Sequence, residues 1–147
     1  MDESLINNWN SVVKQNDIVY HLGDFCLGRL ENFDSYFSRL NGKIILIEGN
    51  HDRNASKNKE KFFEYHKGFI EINVGGWPLT LCHYAMKSWN NSYWGSFHLY
   101  GHSHGKLPDD IAILSFDVGV DCHNYTPISI EQVKEIMKKK NRLENVG

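Results

Sequence analysis

The stretch KIILIEGNHDR, residues 43–53, joins an almost continuous apolar run to a glycine and a polar cluster. An apolar run without alternation is typical of a strand that is covered on both faces. Gly49 ends the run and permits a sharp turn. We therefore predict a buried strand over Lys43–Glu48 that places the polar residues 50–52 at one end of a sheet.

The segments around this strand repeat a strand-helix pattern. A short β-branched run over Ile18–Leu22 ends at Gly23 and follows an amphipathic helix over Ser4–Gln15. Further helices are predicted over Leu30–Leu40, between the two strands, and over Lys57–His66, after the second. Strands that alternate with helices imply a parallel sheet covered by helices.

The pattern changes after Gly68. Two apolar runs, Phe69–Val74 and Pro78–Tyr84, flank a pair of glycines and predict a hairpin. Two more strands are predicted over Ser96–Tyr100 and Ile111–Val118. The second half of the chain therefore adds a group of strands with few helices between them.

A capping box marks the start of the last helix. Ser129 is followed three residues later by Gln132, a pattern in which each side chain bonds the backbone N–H of the other residue. The helix continues through Ile136 and Met137. Its basic end, residues 138–142, is predicted to be solvated.

Composition indicates an ordinary globular chain with one domain, residues 1–147. The formal net charge of -2 neither indicates nor excludes a nucleic-acid partner. The sequence contains no apolar run that could span a membrane and no signal-peptide pattern. Cys26, Cys82 and Cys122 lie among apolar neighbours, which predicts core residues in a reducing compartment. We therefore expect a cytoplasmic protein.

Four predicted strand ends carry side chains that can bind a metal ion. They are Asp24 after Gly23; Asn50, His51 and Asp52 after Gly49; His83 at the end of its strand; and His102 and His104 after Gly101. Taken singly, each has an ordinary explanation as a turn former or a core histidine. Ligands of α/β sheets bind beyond the carboxyl ends of the strands, and the joint occurrence of these four segments favours a shared site.

These motifs, in this order, resemble the signature motifs of calcineurin-like metallophosphoesterases, and residues 117–121 are similar to the closing segment of small bacterial and phage members. The similarity covers nearly the whole chain. It implies an α/β fold, a four-layer α-β-β-α sandwich of two mixed β-sheets, with two divalent metal ions at the strand ends. It also implies hydrolysis of a phosphomonoester or phosphodiester, either a small molecule or a nucleotide, by metal-activated water.

The resemblance also assigns metal ligands. Asp24 would bridge the two ions, Asn50, His83 and His102 would complete the ligands of one ion, and His104 would bind the other. Imidazole, carboxylate and amide oxygen together suit manganese, iron or zinc.

Catalytic roles follow from the same resemblance. His51 would contact the phosphoryl oxygens and protonate the leaving group, and Asp52 would orient the His51 ring. Arg53 has two interpretations, as a partner of a substrate phosphate or as an exposed arginine at a helix entry.

The chain departs from the family pattern at its start, because no Asp-x-His motif precedes Asp24. We expect the fold to lack the first strand, which leaves the edge of the Ile18–Leu22 strand open and favours homo-oligomers. Without that motif only one metal ion is expected to bind tightly. Either Met1 is an internal methionine of a longer reading frame, or the chain is a complete, catalytically weak one-metal binding module. The chain keeps every other catalytic position of the family pattern, which favours the first interpretation.

An aromatic segment lies between the last two ligand segments. Its members are Tyr84, Trp89, Tyr93, Trp94 and Phe97. The sequence allows two interpretations: a lid that stacks on a base, or a long loop held by its own aromatic side chains.

Overall fold

The structure is a computed structural model that describes residues 3–25 and 30–141. Its helices and strands, in chain order, are α1 Glu3–Val12, β1 Ile18–His21, α2 Leu30–Phe37, β2 Lys43–Ile47, α3 Arg53–Lys57, β3 Glu64–His66, β4 Phe69–Val74, β5 Trp77–Cys82, β6 Phe97–Tyr100, β7 Ser115–Asp117 and α4 Ile130–Asn141. Short 3-10 turns lie at residues 59–61, 92–94 and 120–122.

The strands form two sheets, as predicted. The first has the order β1-β2-β3 and is parallel, because each strand is reached by a crossover through a helix or turn. The second has the order β4-β5-β6-β7; it is mixed, with β4 and β5 antiparallel and the other pairs parallel. Among the described strands β1 has β2 as its one hydrogen-bonded neighbour, which is the open edge that the sequence predicts.

The two faces of β2 divide the core. Ile44 and Leu46 lie in a cluster with α1 and α2, whereas Ile45 and Ile47 lie in a second cluster with the other sheet and α4. Further members are Trp9, Phe33 and Phe62 in the first cluster, and Leu79, Leu81, Phe97, Leu99, Phe116 and Met137 in the second. Burial of such a side chain stabilises the fold by about 1.5–3 kcal/mol. Continuous burial explains why β2 shows no polar alternation.

Two predicted elements are wrong in type or extent. The helix predicted over Lys57–His66 is replaced by the end of α3, a 3-10 turn and then β3, because residues 64–66 pair with β2 and Phe62 is buried beneath them. Tertiary pairing outweighs helix propensity here. The strand predicted over Ile111–Val118 contains only Ser115–Asp117, since Ile111 lies in an exposed turn.

The start of α4 agrees with the capping-box prediction. The Ser129 N–H donates to Oε1 of Gln132 at 2.8 Å, and the Gln132 N–H donates to Oγ of Ser129 at 3.2 Å. Two backbone donors at the helix start are thereby satisfied.

The basic end of α4 is not fully solvated, contrary to the prediction, because Lys140 is 3% exposed. Its Nζ donates to the carboxylate of Asp109 and to the carbonyl oxygens of Asp110, Ile113 and Ser115. A buried ammonium group is tolerated when its hydrogens all find acceptors. Lys140 therefore holds the loop before β7 against α4. Arg142 lies outside the described residues.

The cysteine prediction is correct for one residue and wrong for another. Cys82 is buried, whereas Cys122 lies exposed in a 3-10 turn after β7. Cys26 lies outside the described residues. Over residues 3–25 and 30–141, no helix combines the length and apolar character that crossing a membrane requires.

His98 on β6 is fully buried in its neutral form. Its Nδ1–H donates to the Thr80 carbonyl at 3.0 Å, and its Nε2 accepts the Met86 N–H at 2.9 Å. A proton on Nε2 of His98 would face the Met86 N–H, so that two donors would point at each other. Burial lowers the pKa of His98 below its ordinary value of 6.5.

We expect the free energy of unfolding of the metal-free protein to fall as the pH decreases below 6.5, because the unfolded His98 binds a proton that the folded residue resists. His21, whose pKa is lowered by burial to about 4, acts in the same direction. Urea unfolding above and below this pH measures the effect. The His98→Asn variant should show a smaller difference between the two conditions, and an unchanged difference would contradict this assignment. His66→Asn, on the surface, is the control.

Candidate metal centre

The turns after β1 and β2 approach each other at two glycines. A Cβ atom on Gly23 would lie 2.4 Å from Nδ1 of His83 and 2.7 Å from the Gly49 Cα. A Cβ atom on Gly49 would lie 2.6 Å from Oδ1 of Asp24. Gly23 also has a φ of 100°, which other residues rarely adopt. The two glycines therefore allow Asp24 and His83 to come together between the turns.

The Asp52 carboxylate connects the same two turns. Its Oδ2 accepts the N–H groups of Asp24 at 2.7 Å and Gly49 at 2.6 Å, and its Oδ1 accepts the Phe25 N–H at 2.7 Å. The side chain is 3% exposed. The described hydrogen bonds of the Asp52 carboxylate are these three, and its role in orienting the His51 ring stays a prediction. Its observed role is to fix the backbone around Asp24.

Potential metal ligands from four turns converge beside these glycines. Ligand atoms of Asp24, His83 and His102 lie within 4.8 Å of one another. Nε2 of His83 lies 3.5 Å from Oδ2 of Asp24, 3.0 Å from Nδ1 of His102 and 2.9 Å from Oδ1 of Asn50. The four residues predicted to complete one metal site are thus brought together.

The chemistry of these donor atoms suits a cation. Nδ1 of the buried His83 lies 2.6 Å from the Leu22 carbonyl oxygen and donates its hydrogen there, which leaves the Nε2 lone pair directed at the cluster. Oδ1 of Asn50 and Oδ2 of Asp24, which face the same Nε2 atom, are acceptors as well. A divalent ion would satisfy several such acceptor atoms at once. The residues present therefore fit the metal ion that the sequence implies.

Three of the predicted metal ligands have left-handed backbone conformations. The φ values are 57° for Asp24, 63° for His102 and 50° for His104. This region costs a residue with a side chain about 1 kcal/mol or more, and such residues cluster at functional sites.

Three further predicted residues lie around the cluster. The backbone N–H of His51 donates to Oδ1 of Asp24 at 2.9 Å, and the His51 side chain is exposed. Arg53 is the first residue of α3 and is also exposed. Nδ1 of His104 lies 2.7 Å from Oδ2 of Asp121. In the described part of the chain, His104 is not in the group of convergent ligands.

Sequence reasoning did not predict the contacts that support these ligands. Oδ1 of Asp117 accepts the Gly119 N–H and its Oδ2 accepts the Gly105 N–H, which holds the loop of the two histidines against β7. In the sequence, residues 117–121 show only a similarity to the closing segment of small family members, which predicts no contact for Asp117. The contact of Tyr84 with the imidazole rings of His83 and His102 was also missed. A tyrosine directly after a candidate ligand was the available signal.

His21 lies close to the cluster but belongs to the aromatic core. Its ring stacks on that of Trp9, with the ring centroids 6.4 Å apart, and meets the Phe25 ring edge-on, with the centroids 5.0 Å apart. Its buried Nδ1 has no hydrogen-bond partner among the described residues. His21 is not one of the three described residues whose ligand atoms converge.

Fold and site together define a two-sheet α/β protein with a candidate divalent-metal centre at the carboxyl ends of its strands. The chain belongs to the calcineurin-like phosphoesterase superfamily, whose domain model matches residues 2–118. Membership of this family implies metal-dependent hydrolysis of a phosphoester substrate.

Three known proteins are similar to this chain. An uncharacterized protein of Methanocaldococcus jannaschii is 31% identical over 146 residues, which covers 95% of this chain and 76% of the relative. The crystal structure of a protein of unknown function from Aquifex aeolicus has the same fold, with a TM-score of 0.73 and 25% identity over 90% of this chain and 83% of that one. An archaeal phosphodiesterase is more distant, with a TM-score of 0.48 and 22% identity over 70% of this chain and 67% of that one.

Proposed function

We propose that this chain is a phosphoesterase whose metal ion is held by Asp24, Asn50, His83 and His102. The convergence of these ligand atoms carries the proposal: those of Asp24, His83 and His102 lie within 4.8 Å of one another, and Oδ1 of Asn50 lies 2.9 Å from Nε2 of His83. A divalent ion bound there supplies the polarisation of a phosphoryl oxygen and the lowered pKa of a water molecule that phosphoester hydrolysis requires. Manganese is our first choice of ion for this mixed nitrogen and oxygen set, with iron and zinc next.

His51 is the proposed general acid, which gives a proton from its imidazole to the leaving oxygen. Its backbone bond to Asp24 fixes its position beside the metal ligands, and its exposure leaves it free to meet a substrate. Arg53, exposed two residues later, is proposed to pair with a substrate phosphate. Asp52 supports both residues by holding the turn from which they project.

The function of His51 can be tested with a generic aryl phosphodiester and the manganese-loaded protein. We expect His51→Ala to lower the hydrolysis rate about a hundredfold while the manganese content stays unchanged. His66→Ala, which alters a histidine on β3 paired with Glu64, is the matched control and should keep the wild-type rate. A wild-type rate no higher than that of buffer, with no bound metal, would reject the enzyme proposal.

A second candidate function is a one-metal binding module with weak catalysis. The convergent group of ligands in the described part of the chain favours it, because this group holds Asp24, His83 and His102 but not His104. Hydrolysis measured at a known metal occupancy separates the two candidates. One tightly bound ion without measurable hydrolysis supports the binding module, whereas hydrolysis that depends on the bound ion supports the phosphoesterase.

A further inference from the structure

Tyr84 borders the metal ligands without being one of them. Its ring centroid lies 4.9 Å from that of His83 in an edge-on arrangement and 4.7 Å from that of His102 in a tilted one. The side chain is nevertheless 49% exposed. One part of the ring therefore packs on the two imidazoles, and the rest is available to a molecule bound at the site.

The other aromatic residues near the base of this segment are structural. The Trp89 indole N–H donates to the Ser96 carbonyl at 3.1 Å, and its ring lies 5.2 Å from that of His98. Phe97 is 1% exposed in the core. Trp89 and Phe97 thus hold the loop, as one of the two sequence interpretations expects, whereas Tyr93 and Trp94 are 93% and 86% exposed. Tyr84 is the aromatic residue of this segment that contacts two candidate metal ligands.

We propose that Tyr84 is a specificity-determining residue that binds an aromatic ring carried by the phosphoester substrate. The inference rests on the proposed function, because the phosphoryl group must lie at the metal centre for its substituent to reach Tyr84. An exposed aromatic face gains free energy from stacking with a second ring, and gains much less from a small alkyl group. The site should therefore prefer aryl or nucleobase-bearing esters to alkyl esters.

Two non-hydrolysable analogues provide a direct test in the manganese-loaded protein. Calorimetric titration should show that the wild type binds phenylphosphonate about tenfold more tightly than methylphosphonate. Tyr84→Leu should remove this preference by weakening phenylphosphonate alone, and Tyr84→Phe should retain it. Tyr93→Leu is the matched control, since Tyr93 is an almost fully exposed tyrosine of the same segment.

The outcomes separate the two proposals. A wild type that binds both analogues equally, or a preference that survives in Tyr84→Leu, overturns the role of Tyr84 and leaves the phosphoesterase proposal intact. An equal loss of both analogues in Tyr84→Leu, together with a loss of manganese affinity, also overturns it, because Tyr84 would then only support His83 and His102. Failure of the wild type to bind either analogue overturns the inference and the phosphoryl site together.

Discussion

Replacing Asp52 by Ala is expected to lower the free energy of unfolding by about 4 kcal/mol and to weaken manganese binding about tenfold or more. The Asp52 carboxylate accepts three backbone N–H groups, from Asp24, Phe25 and Gly49, in an environment that excludes water. Each donor left without a partner costs about 1–3 kcal/mol. Loss of these bonds also releases the turn that positions the Asp24 carboxylate.

Urea unfolding and a manganese titration measure the two effects. Asp52→Asn keeps one acceptor oxygen, and its free energy of unfolding should fall by only about 2 kcal/mol. This variant can therefore be measured if Asp52→Ala does not fold. Asp17→Ala removes an exposed carboxylate that accepts one backbone N–H, from Lys14, and should cost less than about 1 kcal/mol. A variant at Asp52 that is as stable as Asp17→Ala would show that the carboxylate does not organise the site.

His83→Ala is expected to abolish tight metal binding and, with it, hydrolysis. His83 is 1% exposed, and its ring is fixed by the bond from Nδ1 to the Leu22 carbonyl, so that Nε2 is directed at the other ligands. Loss of a residue that only supports a metal ligand weakens binding 10–100-fold as a rough rule, and loss of the ligand itself should cost at least as much. We expect a reduction of manganese affinity of about a hundredfold or more.

The His83 experiment needs variants that separate metal binding from folding. His83→Asn retains a polar group that can bond the Leu22 carbonyl and should preserve the fold better than Ala while still losing the metal. His66→Ala removes a surface histidine and should bind manganese like the wild type. Retention of the metal in both His83 variants would show that the ion lies elsewhere.

Local pattern was enough to predict the elements that build the site. The continuous apolar run of β2 followed by Gly49 identified a buried strand and a sharp turn, because both depend on neighbouring residues in the sequence. The same holds for β1 and Gly23, and for the capping box of α4. Convergence of Asp24, His83 and His102 followed from the rule that ligands bind at strand ends, and the structure brings the three together.

Features that depend on distant contacts were not predictable in this way. The segment Glu64–His66 has a helical pattern locally but gains a strand partner in β2. Lys140 belongs to a basic run at the end of α4, and only the folded chain shows the carbonyl oxygens that surround its Nζ. Two of the three bonds of Asp52 reach residues that lie 27 and 28 positions away in sequence. Sequence periodicity carries no information about such partners.

The central claim is that a divalent ion bound by Asp24, His83 and His102 is required for phosphoester hydrolysis. A manganese titration of the metal-stripped wild type tests it most directly, when bound metal and hydrolysis of an aryl phosphodiester are followed in the same samples and compared with His83→Ala. We predict that the rate rises in proportion to occupancy of one tight site and that the variant shows neither binding nor hydrolysis. A rate that is independent of bound manganese, or a variant that binds and hydrolyses like the wild type, would contradict the claim.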